Sequence, residues 1–205
     1  RLDPDYIDAH FQLSQVYDET GDLEESLREF DKVIQIQPGN LEGHFRKGDI
    51  YQRLRNYKAA VKSFEKALMI DSNHTLANYQ LGLSYKEMGR HEDALKKFKK
   101  ALESDPRFSE AYYQRGFNFA YLKRYEKAID PLKKAVNLNP NYSEAHYELG
   151  NAYSHLNQYQ KAIESLAQVV LINNLHSDAY LALGLAHSKV KQYDQAIVHL
   201  QKALD

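Results

Sequence analysis

Glycine recurs in this chain at a constant step of 34 residues, without an insertion or deletion in the series. The glycines are Gly48, Gly82, Gly116, Gly150 and Gly184. A fixed period of this length is typical of a repeat protein, in which each unit contacts only its neighbours. The length of 205 residues therefore does not set a number of domains in the way that it would for an ordinary globular chain.

Other columns keep the same period and follow the glycine at fixed offsets. The aromatic column is Tyr17, Tyr51, Tyr85, Phe119 and Tyr153; the alanine column is Ala60, Ala94, Ala128, Ala162 and Ala196; a third column is Phe30, Phe64 and Phe98; and Pro38, Pro106 and Pro140 mark the ends of repeats. With this spacing, residues 7–205 resemble the tetratricopeptide repeat family. The resemblance implies an all-α fold, an α-solenoid that coils as a right-handed superhelix of antiparallel helix pairs and binds other proteins.

The register divides the chain into about six repeats within one continuous solenoid domain. Residues 1–6 match the end of a preceding repeat, and five full repeats follow at 7–40, 41–74, 75–108, 109–142 and 143–176. A sixth repeat, 177–205, is incomplete. We therefore expect the chain to be an excerpt of a longer array.

Each repeat carries two amphipathic segments of about 14 residues, because its apolar positions recur at steps of three and four. In the third repeat these predict a helix A over about 76–88 and a helix B over about 92–104. Gly21 and Gly89 lie between the helices, where a left-handed residue ends helix A. Asn157 tolerates that conformation, whereas Arg55, Lys123 and Lys191 are each expected to be strained by roughly 1 kcal/mol.

The glycine inside each A helix lowers helix stability by about 1 kcal/mol relative to alanine. We therefore expect close packing between helices at each glycine to offset this loss. Gly82 is expected to face the methyl group of Ala94, with Tyr85 and Phe98 filling the flanking space. In the fourth repeat, Pro131 falls inside helix B, where it removes a backbone N–H. A kink or a late start of that helix is therefore expected.

Serine and an acidic residue open several A helices. Ser109, Ser143 and Ser177 are expected to be N-caps, with a carboxylate in the first turn near the positive end of the helix dipole. The acidic column is Asp8, Glu42, Glu110, Glu144 and Asp178. This acidic column has two possible interpretations: it caps the helices, or it lines a groove for basic ligands.

No constellation of residues indicates catalysis or a bound cofactor. The chain has no glycine-rich phosphate loop, no nucleophile elbow, no Cys and no His pair at the spacing of a zinc helix. We therefore predict no enzyme activity, no cofactor and no metal. A formal charge of −1 argues against nucleic acid as a ligand. The sequence contains neither a long apolar run nor a signal peptide, so we expect a soluble chain without membrane insertion, whose compartment is unknown and by default cytoplasmic.

The resemblance also implies a binding surface. In the tetratricopeptide family the A helices line a concave groove, and positions 2, 5, 6, 9, 12 and 13 of each repeat point into it. The candidate peptide-binding residues are Phe45, Arg46, Tyr79, Gln80, Leu83, Tyr113, Gln114, Phe117, Tyr147 and Asn151. The apolar members would hold apolar anchors of a peptide, and the two glutamines would bond its backbone. Alternatively, the fifth-position aromatics pack mainly against the next repeat.

In the family's subclass that binds the C-terminal tails of chaperones, the fifth position of a repeat is lysine. No repeat of this chain has lysine at that position, so we do not expect a chaperone tail as its ligand. The leading hypothesis is a protein–protein interaction module that holds a peptide segment of an unidentified partner. A second is an assembly scaffold that works through its ends or outer face, including self-association through the uncovered last helix. A third is the adaptor arm of an enzyme whose catalytic domain lies outside residues 1–205.

Overall fold

The computed structural model describes residues 6–204, so residues 1–5 of the expected preceding repeat lie outside the described residues. In this range the chain forms twelve α-helices and no strand. The helices are α1 (Ile7–Thr20), α2 (Leu23–Ile36), α3 (Leu41–Arg53), α4 (Tyr57–Ile70), α5 (Thr75–Glu87), α6 (His91–Ser104), α7 (Ser109–Tyr121), α8 (Tyr125–Leu138), α9 (Ser143–His155), α10 (Tyr159–Ile172), α11 (Ser177–Lys189) and α12 (Tyr193–Lys202). Odd-numbered helices are the A helices and even-numbered helices are the B helices. The all-α fold is confirmed.

The chain divides into two compact units, 1–105 and 106–205, with three helix pairs in each. In the first unit, helix α2 packs on α3 and α4 packs on α5, while the A helices α3 and α5 contact each other. The second unit repeats this order: α8 packs on α9, α10 packs on α11, and the A helices α7, α9 and α11 are successive neighbours. Each unit therefore presents a face made of adjacent A helices.

The recurrent glycines are sites of close helix packing, as expected, but the neighbour differs from the prediction. A Cβ atom added to Gly82 would lie 2.6 Å from Cε1 of Phe98, inside van der Waals contact. At Gly116 the added atom would lie 2.5 Å from Cγ of Leu132 and 3.3 Å from the carbonyl oxygen of Ala128. The space left by the missing side chain is thus filled chiefly by the Phe98 or Leu132 side chain and not by the alanine methyl group.

The turns between A and B helices have the predicted left-handed backbone. Gly21 and Gly89 have φ values of +86° and +72°. The same conformation occurs at four non-glycine residues, with φ values of +55° at Arg55, +57° at Lys123, +58° at Asn157 and +63° at Lys191. The repeat register therefore fixes the turn conformation even where the residue does not favour it.

The prediction that Ser109, Ser143 and Ser177 are N-caps is wrong by one residue. Helices α7 and α9 begin at the serine itself, and their N-caps are Phe108 and Tyr142, which make no side-chain capping bond. The hydroxyl of Ser109 instead donates to the Glu110 carboxylate at 2.8 Å. The residue that precedes each of these serines has non-helical backbone and already occupies the N-cap position, so the serine lies inside the first helical turn. Its acidic neighbour does lie in that turn.

The expected late start of helix B in the fourth repeat is also wrong. Helix α8 begins at Tyr125, at the same repeat position as α4 and α10, and includes Pro131 as its seventh residue. A proline φ is compatible with a helix, so the local cost comes from the bond that Pro131 cannot donate to the Lys127 carbonyl and from the crowding of that carbonyl by the proline ring. Packing of the helix against its neighbours outweighs that cost.

Candidate binding surface

In the first unit, the predicted fifth-position aromatics belong largely to the core. Phe45 is only 8% exposed, and its ring centroid lies 5.7 Å from that of Phe64 and 5.4 Å from that of His74. Tyr79 is half-buried, with its ring centroid 5.8 Å from that of Phe98. Leu83 packs against the buried cluster that contains Phe45 and Phe98. These residues hold helix pairs together and present only part of their surface to solvent.

Polar side chains bridge neighbouring A helices of the first unit. Nε2 of Gln52 donates from α3 to the backbone oxygen of Gln80 and to Oγ of Ser84 on α5, both at 2.8 Å. Arg53 forms an ion pair with Asp18, which joins α3 to α1. The side chains at positions 12 and 13 thus occupy the space between A helices.

Arg46 forms an ion pair within its own helix. Its Nε donates to Oε1 of Glu42 at 2.6 Å, one turn earlier on α3. Asp49 lies one turn further along, and its pKa is raised chiefly by burial, with Arg53 acting in the opposite direction. Arg46, which belongs to the predicted site, and Asp49, which does not, are therefore both half-buried and have charged neighbours.

In the second unit, the predicted aromatics form two small clusters on the A helices. The Tyr113 ring lies 6.1 Å from Phe117 and 4.9 Å from Tyr142. The Tyr147 ring stacks on His176 at 5.0 Å. The backbone oxygen of Gln114 accepts a hydrogen bond from Nδ2 of Asn118 at 2.7 Å. Tyr113, Phe117 and Tyr147 are half-buried.

A cleft of about 280 Å³ opens between the A helices α9 and α11. Its lining residues are Asn151, Ser154, His155, Tyr159, Ala182, Leu185, Ala186 and Lys189. Leu185 is 53% exposed and gives the cleft an apolar side. At position 12, where the first unit has the long bridging amide of Gln52, this repeat has Ser154. The short side chain does not span the gap, so the cleft stays open.

The rim of the cleft is polar and partly fixed. The His155 ring stacks on Tyr125 at a centroid distance of 4.1 Å and an interplanar angle of 9°.

Among the predicted site residues, Asn151 lines the cleft. The sequence analysis did not propose Ser154, His155, Leu185 or Lys189, although all four occupy groove positions 9, 12 or 13. The short residue at position 12 was the signal that could have identified them.

Among residues 6–204, no group of three or more His, Asp or Glu residues is arranged to hold a metal ion. None of the helices in the same range is long and apolar enough to cross a bilayer.

Family models match nearly all of residues 7–205. A model described as "Tetratricopeptide repeat" matches residues 41–74 and 177–205, and another with the same description matches 7–40 and 143–176. A third, described as "TPR repeat", matches 82–123 and 118–157. The chain belongs to the tetratricopeptide repeat family. Members of this family are in general non-catalytic modules of protein–protein interaction. This tetratricopeptide array is a protein–protein interaction module.

Solved structures share the fold of this tetratricopeptide array. The crystal structure of MamA is 31% identical and superposes with a TM-score of 0.74 over 77% of this chain and 92% of that one. YrrB, described as a TPR protein with an unusual peptide-binding site, is 24% identical, with a TM-score of 0.78 and coverage of 86% and 91%. PilF of Pseudomonas aeruginosa is 20% identical, with a TM-score of 0.77 and coverage of 94% and 88%. No curated protein matches the chain.

Proposed function

We propose that this tetratricopeptide array binds a peptide segment of a partner protein on its A-helix face, and that the cleft between α9 and α11 holds an apolar side chain of that peptide. The observation that carries the proposal is the open cleft itself. It combines the exposed side chain of Leu185 with the polar groups of Asn151, Ser154 and Lys189. Apolar pockets with a few polar groups at the rim are the usual form of a peptide anchor site.

The half-buried aromatic residues of the second unit extend this surface. Tyr113, Phe117 and Tyr147 each expose part of a ring on the same set of A helices that forms the cleft. Aromatic residues with partly exposed rings supply large contact areas at a small cost in side-chain entropy. Gln114 and Asn151 carry amides of the kind that bond a peptide backbone.

The proposal is tested by selecting random displayed peptides against the intact array and against Ser154→Leu, in which the added side chain fills the cleft. Ser188→Leu is the matched control, because Ser188 occupies the same position of the next repeat, is exposed and does not line the cleft. We expect peptides with an apolar residue to enrich on the intact array and on the control, and to be lost on Ser154→Leu. Circular dichroism first establishes that both variants are folded.

A second selection uses the Tyr113→Ala/Phe117→Ala double variant. Peptides that contact the aromatic surface in addition to the cleft are expected to bind this variant more weakly than the intact array. If the same peptides enrich equally on Ser154→Leu and on the intact array, the cleft is not the binding site.

The outer face of the last helix favours a second candidate function, an assembly scaffold formed by copies of this chain. Ile197 and Val198 on α12 are 55% and 49% exposed, and Tyr193 on the same helix is 59% exposed. Association would bury this apolar surface. Light scattering should then give a mass that rises with concentration, and Ile197→Ser should abolish the rise; a constant monomer mass would contradict self-association.

A further inference from the structure

The A-helix face of the second unit carries opposite charges at its two ends. On α9, Glu144, Glu148, Asn151 and His155 follow one another at steps of four, three and four, which places them on one stripe of the helix. On α11, the acidic residue Asp178 lies in the first turn and Lys189 is the last residue. The stripe is therefore acidic at the N-terminal ends of the two helices and basic at their C-terminal ends.

Glu148 differs from the other acidic residues of this stripe because it is half-buried. Among residues 6–204, its carboxylate has no hydrogen-bond partner and no cation within 4.0 Å. Burial raises the pKa of Glu148, and no nearby cation opposes that effect. By contrast, the buried carboxylate of Glu29 is bonded to Lys32 at 2.8 Å and to His10 at 2.5 Å. A half-buried carboxylate without a cation is costly unless a partner supplies one.

The spacing between Glu148 and the cleft sets the geometry of a ligand. Asn151 and His155, which line the cleft, lie three and seven residues further along α9. At about 1.5 Å per residue of helix, the cleft is centred roughly 5 to 10 Å from Glu148 along the helix axis. An extended peptide advances about 3.3 Å per residue, so two or three peptide residues span that distance.

We propose that the groove of the second unit selects an extended peptide with an arginine or lysine two or three positions from an apolar residue, the basic side chain pairing with Glu148 and the apolar one entering the cleft. The inference rests on the proposed peptide-binding function. The positive charge of Lys189 at the other end of the cleft disfavours a basic peptide residue there. The basic residue of the peptide should therefore lie at the Glu148 end. A guanidinium bonds a carboxylate with two parallel N–H groups, which makes arginine the better match.

The test is a selection of short random peptides against the full chain, Glu148→Gln and Glu148→Lys. On the full chain, enriched peptides should carry Arg or Lys two or three positions from an apolar residue. This basic preference should disappear on Glu148→Gln and change to Asp or Glu on Glu148→Lys. Glu164→Gln, an exposed residue of the B helix α10, is the matched control and should keep the basic preference.

The peptide with the highest enrichment is then synthesised with its basic residue intact and with glutamine in that place. Loss of one charge-assisted bond should weaken binding to the full chain by about tenfold and should have little effect on binding to Glu148→Gln. If enriched peptides show apolar residues but no basic preference, or both synthetic peptides bind equally, the inference is wrong while the proposed function stands. If no peptide enriches on the full chain, both are wrong. The comparison of the two peptides on the unmodified chain remains decisive even if a Glu148 variant fails to fold.

Discussion

At the scale of single residues, one added methyl group at Gly82 should destabilise the chain. Alanine favours a helix over glycine by about 1 kcal/mol, but its Cβ atom would lie 2.6 Å from Cε1 of Phe98. Phe98 is fully buried, so its ring cannot move away without displacing the core, and overpacking of this kind costs roughly 1 to 3 kcal/mol. We expect Gly82→Ala to lower the midpoint of thermal unfolding, and the larger Gly82→Leu to lower it further.

Two controls separate overpacking from a general effect of the substitution. Gly39 has no atom within 4 Å of an added Cβ, so Gly39→Ala should leave the melting midpoint almost unchanged. In a Phe98→Ala background the contact is absent, and the penalty of Gly82→Ala should vanish. An equal penalty in both backgrounds would show that the Phe98 ring is not its cause.

His44 should make part of the stability of the chain dependent on pH. Burial, assisted by Lys66 and Lys47, lowers its pKa below the ordinary value of 6.5, against the opposing effect of its bond to the Pro38 carbonyl. As the pH falls below 6.5, the unfolded chain therefore takes up a proton that the folded chain does not. This contribution to the free energy of unfolding is present above pH 6.5 and is lost as the pH falls through the folded pKa, with a slope of at most about 1.4 kcal/mol per pH unit.

Asparagine is the matched replacement for His44. Nε2 of His44 bonds the backbone oxygen of Pro38, six residues earlier, at 3.0 Å, and at the same repeat position Nδ2 of Asn78 donates to the backbone oxygen of Ser72 at 3.0 Å. We expect His44→Asn to keep its stability at neutral pH and to lose less of it on acidification, as measured by urea unfolding across the pH range. The exposed His155→Asn is the control, and parallel pH profiles for His44→Asn and the unmodified chain would contradict the assignment.

At the scale of single helices, Pro131 is a position at which a substitution should stabilise α8. The equivalent residues of α4 and α10 are Ser63 and Ser165, whose hydroxyls donate to the carbonyl oxygen four residues earlier at 3.1 Å. Pro131→Ser restores the missing backbone donor and adds this hydroxyl bond, which should raise the free energy of unfolding by about 2 kcal/mol after allowing for the greater freedom of the unfolded chain. The reciprocal variant Ser165→Pro should destabilise by a similar amount. Unchanged urea midpoints for both variants would contradict this prediction.

The repeat period predicts the helices closely because the apolar pattern and the turn residues agree. Helix A of the third repeat was predicted over about 76–88 and runs over Thr75–Glu87, and its B helix was predicted over about 92–104 and runs over His91–Ser104. The errors at Ser109 and at the start of α8 have a common cause. Both predictions rested on local energies of a few kcal/mol or less, and the register imposed by packing between helices is stronger.

The binding surface was less predictable than the helices. The repeat position of a residue indicates the helix face on which it lies, but not whether its side chain is exposed to solvent. Phe45 and Tyr147 share the fifth position, yet the first ring is buried and the second is half-exposed. The side chain at position 12 is one difference between the two places. Gln52 reaches across to α5 through Ser84, whereas Ser154 does not fill the gap beside α11.

At the scale of the whole molecule, the array consists of two compact units that each contain three helix pairs. In repeat proteins the stability is approximately the sum of the repeats and of the interfaces between neighbours, and about three repeats are enough for a stable array. Each unit meets that requirement. The cleft, Glu148 and the half-exposed aromatics Tyr113, Phe117 and Tyr147 all belong to the second unit.

We therefore expect a fragment of residues 106–205 to fold by itself and to bind the peptides selected on the full chain. Circular dichroism should show a helical fragment that unfolds cooperatively, at a lower temperature than the full chain because it contains fewer neighbour interfaces. Since α9 and α11 form the cleft, the affinity of the fragment for the selected peptide should be close to that of the full chain. The matching fragment of residues 1–105, in which Gln52 bridges α3 and α5, should be helical but should not bind that peptide. A folded second fragment without affinity would mean that the first unit contributes to binding, and a second fragment without helical structure would mean that three repeats of this sequence do not bury enough apolar surface to fold.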